Sequence, residues 1–260
     1  MLSTKHIFKA YSYIFVILIY LPIISLLILS FNPSRMAAYP LQGFSLVWWK
    51  RFFSDPIAIS AVKNSLIAAS ATAVLATLLG LGIALVLGRR AFRGKAALLY
   101  SMIIPISIPY IIIGGGLLLL FLKVFGIPTN IRTLIIGHTV VALPYSTLVL
   151  TARLVGFDRS LEEAAYDLGA TSFTVFRKII LPLIMPGIVS SLYMTFITSL
   201  EDVTLAVFLA GPDITVPLFI YGRLRRFEGL PEAMALSSFM AILMLSLAVI
   251  YLARAARTKE

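Results

Sequence analysis

The chain has 260 residues, of which 60% are hydrophobic and 13% are charged, so its composition indicates an integral membrane protein and not a soluble domain. The net charge of +11 would also suit a nucleic-acid-binding protein, but lysine and arginine fall between long apolar runs and form no single basic face. We therefore expect no nucleic-acid partner. The chain has no cysteine, and its two histidines, His6 and His138, lie far apart in the sequence. We expect no metal site and no cofactor in this chain.

Six apolar runs predict the fold. Each approaches the roughly 20 residues that an α-helix needs to cross about 30 Å of hydrocarbon. The predicted spans are residues 11–31, 62–87, 97–121, 133–154, 183–206 and 234–253. This pattern predicts an all-α integral membrane protein with six transmembrane helices, and we interpret residues 1–260 as a single transmembrane domain.

The N-terminal region resembles a signal peptide, because Lys5 and Lys9 precede its apolar run. The run is too long for a signal core and no small-x-small cleavage pattern follows it, so we expect a retained first span. Residues 32–61 then carry several aromatic residues, including Trp48 and Phe52. These suit either an interfacial helix at headgroup level or a contact with another protein.

The third predicted span contains Pro105, Pro109 and three glycines at 114–116, which predict a broken helix. Within a membrane, the freed backbone groups must meet protein or a water-filled cavity. Two interpretations stay open here, a wall of a transport pathway and a kinked core helix.

The short loop after the second span predicts the topology, because it carries four positive charges in seven residues. They are Arg89, Arg90, Arg93 and Lys95. Positive charge in short loops marks the cytoplasmic side, so both termini and the loop at 156–181 are expected in the cytoplasm.

A polar segment at about residues 156–181 separates the fourth and fifth predicted spans. Ser160 and Glu163 have the spacing of a capping box, in which a hydroxyl and a carboxylate satisfy backbone N–H groups at a helix start. Gly169 predicts the end of this helix, because glycine adopts the left-handed conformation without a side-chain clash.

The same helix has apolar residues at helical spacing. Leu161, Ala165 and Leu168 predict a narrow apolar face. A second short helix is expected to begin at Ser172 or Thr174, so the segment is interpreted as two short helices lying outside the bilayer.

This segment also contains a family motif, which reads Glu-Ala-Ala, three residues, Gly, nine residues, then Ile-x-Leu-Pro. Its fixed positions are Glu163, Ala164, Ala165, Gly169, Ile179, Leu181 and Pro182. The pattern resembles the signature loop of binding-protein-dependent ATP-binding-cassette (ABC) importer permeases, and the chain is most similar to the polyamine-type, spermidine/putrescine-like branch. A capped amphipathic hairpin on the membrane surface is the alternative interpretation.

The resemblance implies a type I ABC importer permease fold, in which this loop forms a coupling helix that docks on a cytoplasmic ATPase. The residues assigned to the docking loop are Ser160, Leu161, Glu162, Glu163, Ala164, Ala165, Asp167, Leu168, Gly169, Ile179, Leu181 and Pro182.

The resemblance further implies a multi-pass protein of the bacterial cytoplasmic (inner) membrane that forms half of a translocation pathway. Its expected partners are two copies of the ATPase, a second permease subunit, with a heterodimer favoured, and an extracytoplasmic solute-binding protein. A polyamine or a similar small organic cation is the first expectation for the substrate. Ferric iron and an aminophosphonate are the alternatives.

The fifth predicted span carries a polar stripe that could contact such a solute. Ser191, Thr195, Thr198 and Asp202 recur at intervals of four, three and four residues, and Glu201 adjoins the last of them. Ionisable groups within a membrane usually face a bundle interior or a water-filled cavity, so the stripe could line a pathway for cations. Alternatively, Asp202 could lie at the water boundary and pair with an arginine of the following loop.

Catalytic activity is not expected of this chain. The stretch from Gly88 to Lys95 resembles a phosphate-binding loop, but it is one residue too long and no serine or threonine follows the lysine. ATP hydrolysis is therefore expected on a partner subunit. Glu201 and Asp202 point about 100° apart on a helix, which suits a shared acid–base site poorly. His138 has no acid near it in the sequence and is interpreted as a hydrogen-bonded helix-packing residue.

Two other classes of membrane protein were weighed. An ion-coupled secondary transporter would carry its essential charges within the spans, whereas here they concentrate in the polar hairpin. An intramembrane hydrolase would need a catalytic pair facing one cavity, and the spacing assembles none.

Overall fold

The computed structural model describes residues 4–36, 38–225 and 229–257, and the described residues contain helices but no β-strand. The helices are α1 (Thr4–Leu29), α2 (Val47–Ser54), α3 (Pro56–Arg89), α4 (Lys95–Ser107), α5 (Tyr110–Leu119), α6 (Ile131–Val155), α7 (Ser160–Asp167), α8 (Ser172–Val175), α9 (Leu181–Glu201), α10 (Thr204–Leu209), α11 (Val216–Leu224) and α12 (Leu230–Arg257). Two π-helical turns, Leu120–Val124 and Phe176–Ile180, extend α5 and join α8 to α9.

The chain divides into two compact units. One comprises the residues up to Ser60 together with Phe219–Ile250, and the other comprises Ala61–Leu218 together with the residues from Tyr251 onward. All residues predicted for the docking loop and for the polar stripe belong to the second unit.

Six membrane crossings are present if one bent pair of helices is counted as a single span. Five helical stretches of the described residues are long and apolar enough to cross a membrane alone: Tyr11–Leu29, Pro56–Arg89, Ile131–Val155, Ser172–Glu201 and Leu230–Ala253. The sixth crossing combines Lys95–Ser107 with Tyr110–Val124, which meet at an angle of 100°. The six predicted runs therefore correspond to these segments. The predicted cytoplasmic ends of the chain, residues 1–3 and 258–260, lie outside the described residues.

The break in the third span comes from Pro109. A proline disfavours the helical conformation in the residue before it, and Ile108 is accordingly extended, with φ −85° and ψ 128°. The predicted break is thus confirmed, but the glycines at 114–116 have another role, since they lie inside the continuous helix α5. Gly114 lets α10 approach, because a Cβ there would come within 2.7 Å of the Phe208 ring.

The fifth span begins about ten residues earlier than predicted. Helix α8, the second π-turn and α9 follow one another without a break from Ser172 to Glu201. The predicted start of the second helix at Ser172 is confirmed, but this helix is not a short separate one, because it is the beginning of the span itself. Pro182 is tolerated because it lies in the first turn of α9, directly after the π-turn, where its missing N–H interrupts little.

Small residues let the helices of the second unit approach closely. A Cβ at Gly80 of α3 would come within 2.3 Å of the Ser146 hydroxyl of α6, and one at Gly187 of α9 within 3.1 Å of the Arg153 side chain. Lipid tails are as apolar as leucine, so the hydrophobic effect does not drive helices together within a membrane. Close packing and interhelical hydrogen bonds hold them together instead, and each such hydrogen bond contributes about 0.6 kcal/mol on average. The helices α3, α6 and α9 therefore form one packed bundle.

Two apolar clusters fill this bundle. One includes Leu134, Leu205 and Leu209 and joins α6 to α10. The other includes Ala84, Leu150, Leu154, Val175, Ile180 and Ile184 and lies where α3 and α6 meet the foot of the fifth span. The second cluster, which we call the foot cluster, supports the polar hairpin from within.

In the first unit, α2 confirms a helix in the loop after the first span, whereas its place at headgroup level stays a prediction. Trp48 and Phe52 are buried, because they face inward one helical turn apart. The Trp48 indole N–H donates to the Asn32 carbonyl at 2.8 Å, and the Phe52 and Phe239 rings are 5.5 Å apart. These two aromatic residues therefore pack inside their own unit and do not form a surface contact.

Candidate functional site

The helix of the polar hairpin, α7, begins without the predicted capping box. Ser160 is already its first helical residue, and the flanking residue Arg159 makes no capping bond with its side chain. The cap comes instead from Asp158, whose carboxylate accepts the Ser160 backbone N–H at 2.9 Å. This hydrogen bond favours the ionised form and lowers the pKa of Asp158. Glu163 is consequently not needed as a cap, and its side chain is exposed.

The predicted end of α7 at Gly169 is confirmed. Gly169 has φ 81°, a conformation that glycine adopts without a side-chain clash. Its N–H donates to the Tyr166 carbonyl at 2.8 Å, and the Ala170 N–H donates to the Ala165 carbonyl at 3.0 Å. These two bonds form a Schellman motif, which satisfies carbonyls that a helix end leaves open.

The predicted apolar face of α7 is divided between two environments. Ala165 packs against the foot cluster, but Leu161 is 50% exposed and Leu168 is 89% exposed. The face is therefore not a continuous buried stripe. Leu161 and Leu168 therefore lie on the exposed surface of α7.

We call the exposed side of α7 the docking face. It presents apolar and acidic groups together, and it comprises Leu161, Glu163, Ala164, Asp167, Leu168 and Gly169. A Cβ at Gly169 would meet no atom within 4 Å, so the space outside this turn is open.

The other predicted residues of the loop lie away from the docking face. Glu162 turns inward to Arg89, with 2.6 Å between Oε1 and Nη2. Ile179 packs against the foot cluster, and Leu181 and Pro182 form the first turn of α9. These residues place the hairpin relative to the spans, whereas the docking face is available to a partner.

The polar stripe of the fifth span lies partly inside the bundle. Ser191 and Thr195 have no exposed surface. The Ser191 hydroxyl donates to that of Ser146 on α6 at 2.8 Å and lies 2.9 Å from that of Thr77 on α3. Thr195 donates back to the Ser191 carbonyl at 2.7 Å. Both residues are thus covered by helices of their own chain.

Asp202 is also buried, with 9% of its surface exposed. Its Oδ2 accepts the backbone N–H groups of Leu205 and Ala206 at 2.8 and 3.3 Å, so it caps α10. The same oxygen lies 3.3 Å from His138 Nε2, and His138 Nδ1 lies 2.6 Å from the Ser199 hydroxyl. His138 is therefore a helix-packing residue with an acid beside it.

The alternative, a pairing of Asp202 with an arginine of the following loop, is not found among the described residues, which do not include Arg226. Arg223 of that loop lies 2.8 Å from Asp55 and 3.3 Å from Glu232. Sequence reasoning missed His138 as the partner because 64 positions separate it from Asp202, and nothing local in the sequence links them.

Glu201 and Thr198 are the members of the stripe that remain accessible. Glu201 is exposed, and Thr198, which is half-buried, donates to the Met194 carbonyl at 2.9 Å. Tyr110 lies near Tyr145 and near the carboxylates of Asp202 and Glu201. The sequence did not single out either tyrosine for this site.

No group of three or more histidine, cysteine, aspartate or glutamate side chains that could hold a metal ion occurs among the described residues.

The described residues form helices without strands, with five or six candidate membrane spans and an exposed hairpin before the fifth. Residues 76–257 match the family described as "Binding-protein-dependent transport system inner membrane component", and the chain belongs to this family of multi-pass inner-membrane proteins. Permease subunits of this family are not themselves catalytic.

Two curated relatives extend the similarity to most of the chain. The spermidine/putrescine transport permease PotC of Haemophilus influenzae is 38% identical over 250 residues, covering 96% of this chain and 94% of PotC. The putrescine transport permease PotI of Escherichia coli is 36% identical over 229 residues, covering 85% of this chain and 81% of PotI.

Solved structures share the fold at lower identity. A chain of a bacterial ABC transporter that imports alginate matches with a TM-score of 0.76 and 19% identity, covering 98% of both chains. A chain of the MetNI methionine ABC transporter matches with a TM-score of 0.66 and 19% identity, covering 78% of this chain and 95% of its own. The predicted ABC importer permease fold is confirmed.

Proposed function

We propose that this chain is the membrane-spanning permease subunit of an ABC importer that takes up a polyamine or a similar small organic cation. The observation that carries the proposal is the similarity to the spermidine/putrescine permease PotC over 96% of this chain. The substrate class is further supported by Glu201, an exposed carboxylate at the end of a membrane span. Polyamines carry several ammonium groups, which an accessible carboxylate attracts.

The docking face of α7 is proposed to bind a cytoplasmic ABC ATPase. The exposed side chains of Leu161 and Leu168 would enter an apolar groove, and Glu163 and Asp167 would meet basic or N–H groups at its rim. Closure of two ATPase copies would draw together the hairpins of this chain and of a second, non-identical permease subunit. ATP hydrolysis then takes place on the partner, and this chain carries no cofactor.

The translocation pathway would run along the accessible part of the polar stripe. Glu201 and Thr198 would contact the solute, and Tyr110 would offer an aromatic face to an ammonium group. Ser191, Thr195 and Asp202 would support the pathway from within the bundle. An extracytoplasmic binding protein would deliver the solute, and the termini and the hairpin would face the cytoplasm.

Uptake by the complete transporter tests the function. The chain is coexpressed with the ATPase, the second permease subunit and the binding protein of the same transporter, and the complex is reconstituted in liposomes. It is then supplied with labelled spermidine, putrescine, ferric iron or 2-aminoethylphosphonate. We expect ATP-dependent uptake of a polyamine and none of the other two solutes. Selective uptake of ferric iron or of the aminophosphonate would contradict the substrate class but leave the permease role intact. Uptake without an ATPase would contradict the ABC mechanism and favour an ion-coupled transporter.

A further inference from the structure

Helix α3, the second span, is not adjacent in the chain to the polar hairpin, because α4, α5 and α6 lie between them. The hairpin continues directly into α6 on one side and into the fifth span on the other. Any movement of α7 can therefore reach α3 directly only through side-chain and backbone contacts, and the structure contains two charged contacts of this kind.

The two contacts cross between the same segments in opposite directions. Arg89, the last residue of α3, reaches Glu162 of α7, and both side chains are largely covered, with 13% and 15% of their surface exposed. Arg159, just before α7, reaches back and donates to the Arg89 carbonyl at 2.7 Å and more weakly to the Gly88 carbonyl at 3.4 Å. Each segment thus gives one arginine and one acceptor, and we call this arrangement the α3–α7 clamp.

The clamp provides hydrogen-bond donors to backbone carbonyls at the end of α3 that would otherwise have no partner. The last turn of a helix has carbonyls without internal partners, and an arginine there is favoured by the helix dipole. Charge-assisted hydrogen bonds are roughly twice as strong as neutral ones, and removing one partner of a covered ion pair leaves the other charge uncompensated. The clamp therefore fixes the direction and position of α7, which the apolar foot cluster alone would not do.

A second attachment fixes α3 within the bundle. Thr77 of α3 meets Ser191 of α9, which in turn donates to Ser146 of α6. Thr77 and Arg89 are 12 residues apart in the sequence, or about 18 Å along a helix. The clamp thus joins α7 to a helix that is itself attached to α9 through Thr77.

We propose that the α3–α7 clamp transmits the movement of the docked hairpin to the second span, and that Arg89 and Glu162 are positioning residues for coupling. The proposal rests on the proposed function, because it assumes that an ATPase moves α7. The proposal assigns Glu162 a different role from that of the adjacent motif residue Glu163. Glu162 faces inward and holds the hairpin to α3, whereas Glu163 and Leu168 belong to the docking face.

Charge reversal in the complete reconstituted transporter tests the clamp. Arg89→Glu and Glu162→Arg each place like charges in contact, whereas the double variant restores an opposite pair in the reverse order. We expect each single variant to retain copurification of the ATPase, since the docking face is unchanged. ATP hydrolysis should persist but lose its stimulation by the loaded binding protein, and polyamine uptake should fall by about tenfold or more. The double variant should recover uptake to within about threefold of the unmodified transporter.

Arg90→Glu is the matched control, because this neighbouring arginine is exposed and takes no part in the clamp. It should leave uptake and stimulation unchanged. Single variants with normal uptake would overturn the proposal, as would a double variant that recovers neither uptake nor stimulation. Loss of ATPase copurification in Glu162→Arg alone would also overturn it, because Glu162 would then contact the ATPase. If the unmodified chain itself failed to bind an ATPase, the proposed function would be overturned. The proposed role of the clamp in coupling would then be overturned as well.

A cross-link keeps the test decisive where a charge-reversed variant does not assemble. The chain has no cysteine, so Arg89→Cys with Glu162→Cys introduces one unique pair. We expect this double variant to be uncoupled when reduced and to regain uptake when a short thiol-reactive linker joins the two positions. A linked transporter that remained uncoupled would overturn the proposal.

Discussion

The adjacent carboxylates Glu201 and Asp202 occupy different environments. Asp202 is enclosed by its own chain, where it caps α10 and lies beside His138. Glu201, one position earlier, is exposed. The sequence predicts the polar stripe from its spacing, but not this division, because the covering residues come from distant helices. We therefore expect substitutions at the two positions to have different effects.

Removing the exposed charge should weaken transport without affecting stability. Glu201→Gln keeps the size of the side chain but loses its attraction for an ammonium group, so the KM for spermidine uptake should rise by about tenfold. Concentration-dependent uptake into proteoliposomes measures this change. Glu201→Asp is the control and should retain most of the affinity, because its charge is preserved. An unchanged KM in Glu201→Gln would place the pathway elsewhere on the subunit.

Removing the buried carboxylate should instead destabilise the fold. Asp202→Ala leaves two backbone N–H groups of α10 without their acceptor, at a cost of about 1–3 kcal/mol. Thermal unfolding of the detergent-solubilised subunit should show a lower Tm. Asp202→Asn should be milder, since an amide oxygen can still accept from the backbone. If Asp202→Ala kept its Tm but abolished uptake, Asp202 would have to contact the solute.

At the scale of elements, local signals predicted helix ends better than helix continuity. Gly169 ends α7 and Pro109 interrupts the third span, because both effects arise from the conformational preferences of one or two residues. The continuous helix from Ser172 to Glu201 was not predicted, since a π-turn absorbs the disturbance before Pro182 and leaves no sequence pattern of its own. The capping box failed for a related reason, because Asp158 was an equally suitable and earlier acceptor.

The turn that ends α7 should be essential for docking but not for membrane insertion. Gly169→Val forces a β-branched residue into a conformation with φ 81°, at a cost of about 1–3 kcal/mol, so the end of the docking face should change shape. We expect the six crossings to insert normally, and the ATPase no longer to copurify. Thr171→Ser is the control, because serine keeps the hydroxyl that accepts the Thr174 N–H at 3.3 Å. Normal ATPase association in Gly169→Val would remove the main support for docking through α7.

Leu168 allows the same surface to be tested without strain. Its side chain is 89% exposed, so Leu168→Glu should leave the Tm of the isolated subunit unchanged. A charge at this position would have to be desolvated in an apolar groove, and the affinity for the ATPase should fall by about tenfold or more. Pull-down of the purified ATPase by the tagged subunit measures the loss. An unaltered affinity would exclude Leu168 from the contact.

At the scale of the whole molecule, the apolar runs were sufficient to predict the five or six candidate crossings and their approximate positions. Crossing a membrane requires a minimum length of apolar helix, and this requirement acts on composition alone. The orientation of the chain rests on the same reasoning, applied to the basic loop at 89–95. The pairing of helices could not be predicted in this way, because it depends on small residues such as Gly80 meeting one particular partner.

Fusion reporters test the orientation directly. A reporter joined after Arg93 or at the C-terminus should be active only in the cytoplasm, because positive loops remain on that side. One inserted near Asp55 should behave as external. A cytoplasmic signal from position 55 would contradict the six-crossing topology and the cytoplasmic location of the hairpin.

The first span differs from the others in how little of it the chain itself covers. Only 6% of the residues in its most apolar stretch are buried, against 61% in the fourth span, and the family match begins at residue 76, well beyond it. The surface of α1 is therefore open to its surroundings, so the bilayer and not the packing of this chain solvates most of its apolar side chains.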